Sequence, residues 1–215
     1  MTDRRVVLDL ETKKTFDEVG GRDRMDQLGI TVVGVYQYAT NEYLTFEESE
    51  LGQLQNLLID ASLIIGFNHI GFDLPVMQPY LSVDVKNLPV FDIMADFQKR
   101  MGHRIGLDSI AKATLGIGKT GHGLDAIRFY REGKIRELKE YCLNDVKVTK
   151  KFLITVSRVK KSSIIPKWGI KKGNWRWSGG NTKNHASPWK PRLRSINYSS
   201  YSTKSTCGSC GISFL

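Results

Sequence analysis

The sequence predicts an α/β domain in which a mixed β-sheet is flanked by helices. Three observations lead to it. Short Val- and Ile-rich runs crowd the first part of the chain, as in buried strands. Apolar residues at three- and four-residue steps dominate the later part, as in amphipathic helices. Strands that open a chain and helices that follow to cover them suit a layered α/β architecture. The 215 residues are 40% hydrophobic and 25% charged, ordinary for a globular chain. That length favours one domain with an extension, and such a domain buries enough surface for its own core.

In order, strands are expected over residues 6–10, 30–38, 43–46 and 63–67, with a short one at 90–91. Helices are expected over 48–60, 74–81, 93–101, 107–115, 123–132 and 135–156. The last is the clearest, with Ile135, Leu138, Tyr141, Cys142, Val146, Thr149 and Leu153 on one stripe. Pro75 suits the first turn of its helix, where the missing N–H costs nothing. Asp92, before Ile93 and Met94, reads as a helix N-cap, with a fifth site carboxylate as the alternative.

Several acids sit where an ordinary core would not place them. Asp9 interrupts the apolar run Val6-Val7-Leu8-Asp9-Leu10, and a buried carboxylate needs compensation. Asp9 and Glu11 are two apart, so in a strand they face one side. Two like charges on one face suggest a cation, and hard divalent ions prefer oxygen ligands. The bland reading of D-x-E is a strand that ends at Asp9, with Glu11 solvated in the next loop. Asp73 follows Asn68 and Phe72 and precedes Leu74-Pro75, which also suits an ordinary helix cap. Tyr141 and Asp145 are four apart and share a helix face; a surface neighbour pair is the bland alternative. The segment GIGKTGHG, residues 116–123, lacks the spacing of a phosphate-binding P-loop. It reads as a loop that could bring Lys119 or His122 to a substrate phosphate, with His103 and Arg104 as weaker candidates. His69 could approach a metal, but no His-rich spacing supports a zinc site.

The ordered set D-x-E, N-x-x-x-F-D and Y-x-x-x-D resembles the three exonuclease motifs of the DEDD superfamily in its tyrosine subtype. Residues 101–152 are similar to a group of predicted 3′–5′ exonuclease or ribonuclease H-like domains, some of them fused to helicases. The resemblance covers residues 4–156. It implies a ribonuclease H-like fold and metal-dependent 3′–5′ hydrolysis of DNA or RNA at a 3′ end, on single strands, with a helicase as an expected partner. It implies two divalent cations, Mg²⁺ or Mn²⁺, held by Asp9, Glu11, Asp73 and Asp145. Asp9 takes the bridging place, Glu11 and Asp145 complete the site of the metal with the attacking water, and Asp73 serves the second metal. Tyr141 orients that water, and Asn68 and Phe72 flank the terminal nucleotide. A ribonuclease H-like endonuclease on structured or hybrid substrates and an inactive nucleic-acid-binding module are the rival readings.

Charge divides the chain at residue 157. Residues 1–157 are close to neutral, whereas residues 158–215 carry twelve Lys and Arg and no acid, together with Trp168, Trp175, Trp177 and Trp189. The expected organisation is a nuclease domain over 1–157 and a disordered basic tail over 158–215. Basic residues interleaved with aromatics also suit a grip on single-stranded nucleic acid, and a frameshifted end is a third reading. Cys207 and Cys210 form one C-x-x-C pair, and His185 is the tail's only histidine, so a closed zinc site there lacks ligands. Three cysteines do not suggest a disulfide framework. No apolar run reaches the roughly 18 residues of a membrane span, and no secretory segment opens the chain, which points to a cytoplasmic protein without membrane partners.

Overall fold

A computed structural model describes residues 2–117 and 123–161, all within the unit Met1–Trp175. Its described strands are β1 (Arg5–Thr12), β2 (Ile30–Gln37), β3 (Glu42–Glu47), β4 (Leu63–Gly66) and β5 (Val90–Asp92). They form one mixed sheet in the order β3-β2-β1-β4-β5. β1 is central, antiparallel to β2 and parallel to β4, while β3 is antiparallel to β2 and β5 parallel to β4. All five expected strands are present, displaced at their ends by a residue or two.

One displacement matters. β1 does not end at Asp9 but continues to Thr12, because its ladder with β2 runs through Asp9↔Gly34, Leu10↔Val33 and Glu11↔Val32. Asp9 and Glu11 are therefore strand residues on one face. Its ladder with β4 reaches only from Arg5↔Leu63 to Val7↔Ile65. The acidic half of β1 thus projects beyond the parallel pair.

The helices are α1 (Phe16–Val19), α2 (Leu51–Asp60), α3 (Asp73–Met77), α4 (Ile93–Met101), α5 (Leu107–Leu115), α6 (Gly123–Arg131) and α7 (Ile135–Lys161). α4 and α5 have the expected bounds, each closed by a left-handed glycine, Gly102 and Gly116. The expected helix over 48–60 begins as a 3₁₀ turn, Glu48–Glu50. The one over 74–81 becomes α3 and the 3₁₀ turn Gln78–Tyr80, because Pro79 cannot donate to the next α-helical bond. α1 and the 3₁₀ segments Arg22–Gln27 and Val85–Asn87 had no sequence signal, being too short for a period to show. α1 is held by a capping box between Thr15 and Glu18. α7 runs to Lys161, so its backbone crosses the boundary expected at 157, with no Gly or Pro there to stop it.

The alternation along β1 splits the core. Val6, Leu8 and Leu10 pack with Leu54, Leu58, Leu74 and Met77 from α2 and α3. Val7 faces the other way, with Ile93, Ile110, Val146 and Phe152 from α4, α5 and α7. Burial of this apolar surface at about 25 cal/mol per Å² is the main force seating α7 on the sheet. No described helix is long and apolar enough to cross a membrane.

Candidate metal centre on the central strand

Asp9 and Glu11 share the face of β1 that α7 covers. The strand opposite makes that approach close. Gly34 pairs with Asp9, and a Cβ on Gly34 would lie 2.9 Å from Cys142 Sγ, 3.2 Å from Val146 Cγ2 and 3.3 Å from Leu143 Cδ2. Gly34 interrupts an otherwise β-branched run, and a glycine inside a strand often marks close approach of another segment. Its missing side chain lets α7 settle against the two acids.

The acids meet there. One carboxylate oxygen from each of Asp9 and Glu11 lies within 4.8 Å of the other and of Cys142 Sγ. Cys142 is fully buried, and its thiol approaches the Asp9 main-chain carbonyl at 3.5 Å as a weak donor. Burial first, then the charges of Asp9 and Glu11 and more weakly Asp145, push the thiol well above its ordinary pKa. Burial and the neighbouring carboxylates both favour the protonated thiol, as suits a packing group. Asp145, one turn further along α7, is 3% exposed, and its charge is felt at the same sulfur. Asp9 and Glu11 thus bring two carboxylate donors together, a start that suits a hard divalent cation, while Asp145 stands beside the same sulfur and outside that cluster. Tyr141 is buried on the same helix, in edge contact with Phe129 of α6 at 6.4 Å between ring centroids. The surface pair of the bland reading is excluded by this burial.

Asp73 enters from β4. Because β4 runs parallel to β1, its carboxyl end delivers residues 67–72 to the end of the sheet where Asp9 and Glu11 stand. Asp73 is the first residue of α3; the N-cap position belongs to Phe72. Asp73 is 3% exposed, and its Oδ2 lies 3.1 Å from Nδ1 of His69, which is fully buried. Burial opposes a charge on His69, but the charge and hydrogen bonding of Asp73, with Asp92 and the Ile65 backbone, outweigh it and raise its pKa.

Asp92 organises this segment. As N-cap of α4 it accepts from the amides of Met94 and Ala95, and it also accepts from Asn68 at 2.9 Å and Ile70 at 3.0 Å. Its role is therefore scaffolding, the N-cap reading extended to a neighbouring loop. Asn68 holds a left-handed backbone, φ 69°, which Asn tolerates better than most residues. Its Oδ1 accepts from Arg104 at 2.9 Å. Phe72 is half-buried and packs edge-on against Phe16, 5.8 Å between centroids. His103 is exposed. Lys119 and His122, and the tail with its four Trp and its C-x-x-C pair, lie outside the described residues. The sequence reading missed Cys142, Gly34 and the linking role of Asp92. Only Gly34 carried a signal.

A model of the RNase_H superfamily matches residues 6–156. The chain belongs to the RNase H superfamily. Among solved structures it is similar to RNase D of Trypanosoma brucei, with TM-score 0.52 and 20% identity over 71% of this chain and 57% of that one. The same enzyme in complex with RNA U12 gives 0.55 and 22% over 71% and 55%. The family B DNA polymerase of Pyrobaculum calidifontis gives 0.51 and 16% over 73% and 24%. At these identities the likeness is one of fold, and the chain spans a little over half of the RNase D chains. No curated protein matches it.

Proposed function

We propose that this chain is a metal-dependent 3′–5′ exonuclease of the tyrosine DEDD type, hydrolysing phosphodiester bonds of DNA or RNA. The observation that carries the reading is the convergence of Asp9 and Glu11 from β1 with α7, which also carries Tyr141 and Asp145, on an RNase H-like sheet. Asp9 and Glu11, with Asp145 and Asp73, would hold the divalent cations, Mg²⁺ or Mn²⁺. When bound, such cations activate a water and stabilise a leaving 3′-oxygen. The rest falls to the chain. Tyr141 serves by orienting the water through its hydroxyl and not as a base, a role for which a phenol is poorly suited near neutral pH. Asn68 and Phe72 flank the terminal nucleotide, and Lys119 and His122 meet its phosphates. The RNA carried by the trypanosome structure makes RNA the first substrate to try, and a helicase that frees single strands is a fitting partner.

The test is digestion of 5′-labelled single-stranded RNA and DNA in Mn²⁺ or Mg²⁺, beside a circular single strand. A ladder shortening by single nucleotides, an intact circle, and no cleavage by a folded Asp9→Ala variant are expected. Cleavage of the circle would replace the exonuclease by an endonuclease. Metal-independent binding without turnover would leave a binding module.

A further inference from the structure

The His69 side chain occupies an unusual place for an imidazole. It is fully buried, and its ring fills the space a side chain at residue 66 would need: a Cβ on Gly66 would fall 1.7 Å from Nε2. Gly66 ends β4 and pairs with Asp92 of β5. Asp92 in turn fixes the amides on either side of His69, those of Asn68 and Ile70. The imidazole is thus held by its own backbone, by the absent side chain of Gly66 and by the surrounding core, and it presents Nδ1 to Asp73 Oδ2 at 3.1 Å. The Leu74 amide also donates to the His69 carbonyl at 2.9 Å, tying the first turn of α3 to the same residue.

We propose that His69 is a positioning residue: its imidazole pairs through Nδ1 with one oxygen of Asp73, at 3.1 Å, and so aims the other oxygen into the metal centre. The inference rests on the proposed role of Asp73. Carboxylates that serve metals are commonly oriented by such hydrogen bonds, and losing the partner costs about 10–100-fold in metal affinity or activity.

The experiment compares wild type, His69→Leu, His69→Asn, His69→Gln, Asp73→Asn and Asp9→Asn of the full chain. Each is read by thermal unfolding, by calorimetric Mn²⁺ titration and by kcat and KM on labelled oligonucleotide. His69→Leu keeps the bulk and removes the donor; it should weaken Mn²⁺ binding by about 10–100-fold and lower kcat with little change in KM. Asn, whose amide can stand near Nδ1, should recover most of the loss, and Gln, which reaches towards Nε2, should not. A folded His69→Leu with native Mn²⁺ binding and kcat overturns the proposal. If His69→Leu does not fold, equal Mn²⁺ affinities for Asn and Gln overturn it. The two levels separate through Asp73→Asn: a strong effect there with a native His69→Leu removes only His69, whereas Mn²⁺ binding untouched by Asp73→Asn and Asp9→Asn removes the metal reading and this proposal with it.

Discussion

Gly34 and Cys142 show how much one missing side chain settles. The sulfur lies 2.9 Å from where a Cβ at residue 34 would stand, so Gly34→Ala must displace the Cys142 side chain, α7 or the strand. Overpacking of this kind costs about 1–3 kcal/mol; a lower urea midpoint at unchanged slope is the expected result. The same displacement shifts Cys142 against Asp9 and should weaken the Mn²⁺ response. Cys142→Ala removes the sulfur that the new methyl would meet. The double variant should therefore recover part of the stability lost in Gly34→Ala, a coupling that a double-mutant cycle reads directly. Because burial and the neighbouring carboxylates disfavour a thiolate at residue 142, Cys142→Ala should retain metal-dependent cleavage. Loss of Mn²⁺ binding in that variant would make the sulfur a ligand.

At the scale of elements, Asp92 couples β5, α4 and the segment between β4 and α3. It accepts four backbone amides, from Asn68, Ile70, Met94 and Ala95. Asp92→Ala removes a helix cap and leaves the two loop amides without their carboxylate, a loss of about 3 kcal/mol. Hydrogen exchange at Asn68 and Ile70 should accelerate in step, and Asp92→Asn should restore part of both effects, since its amide oxygen still accepts. Equal exchange in wild type and Asp92→Ala would show that the loop is held by other contacts. The loop carries Asn68, His69 and Phe72 to Asp73, so this scaffold supports the proposed ligand Asp73 without being one itself.

For the whole molecule, ion pairs join elements far apart in the chain. Lys13 pairs with Glu48, which also accepts from the Tyr80 hydroxyl at 2.9 Å. Arg131 of α6 reaches Glu18 of α1 at 2.6 Å, and Lys139 of α7 reaches Glu47 of β3. Chiefly through its hydrogen bond with Lys13, the Glu48 pKa is lowered. A carboxylate depressed on folding contributes stability above its unfolded pKa, near 4.3, and loses it as pH falls through the folded value. The melting temperature of wild type should therefore exceed that of Glu48→Gln at pH 7, modestly because the pair is solvent-screened. The gap should close in acid, as the pH falls through the folded value. A gap that persists there would assign the difference to packing and not to charge.

The amino-acid order by itself determined the elements and their sidedness. β1 to β5 and α4 to α7 follow from patterns within a few residues of one another, and the same local logic put Asp9 with Glu11 and Tyr141 with Asp145. Tertiary structure decided what those faces meet. Cys142 and Asp9 are 133 positions apart, and their contact depends on strand register, the missing side chain at Gly34 and the packing of α7. The extension of β1 to Thr12 needed the ladder with β2. The burial of His69 against Gly66, and the reach of Asp92 into another loop, needed the parallel β4–β5 pair. Periodicity reports which side of an element is apolar. It carries no information on which distant polar groups come together once those sides are buried.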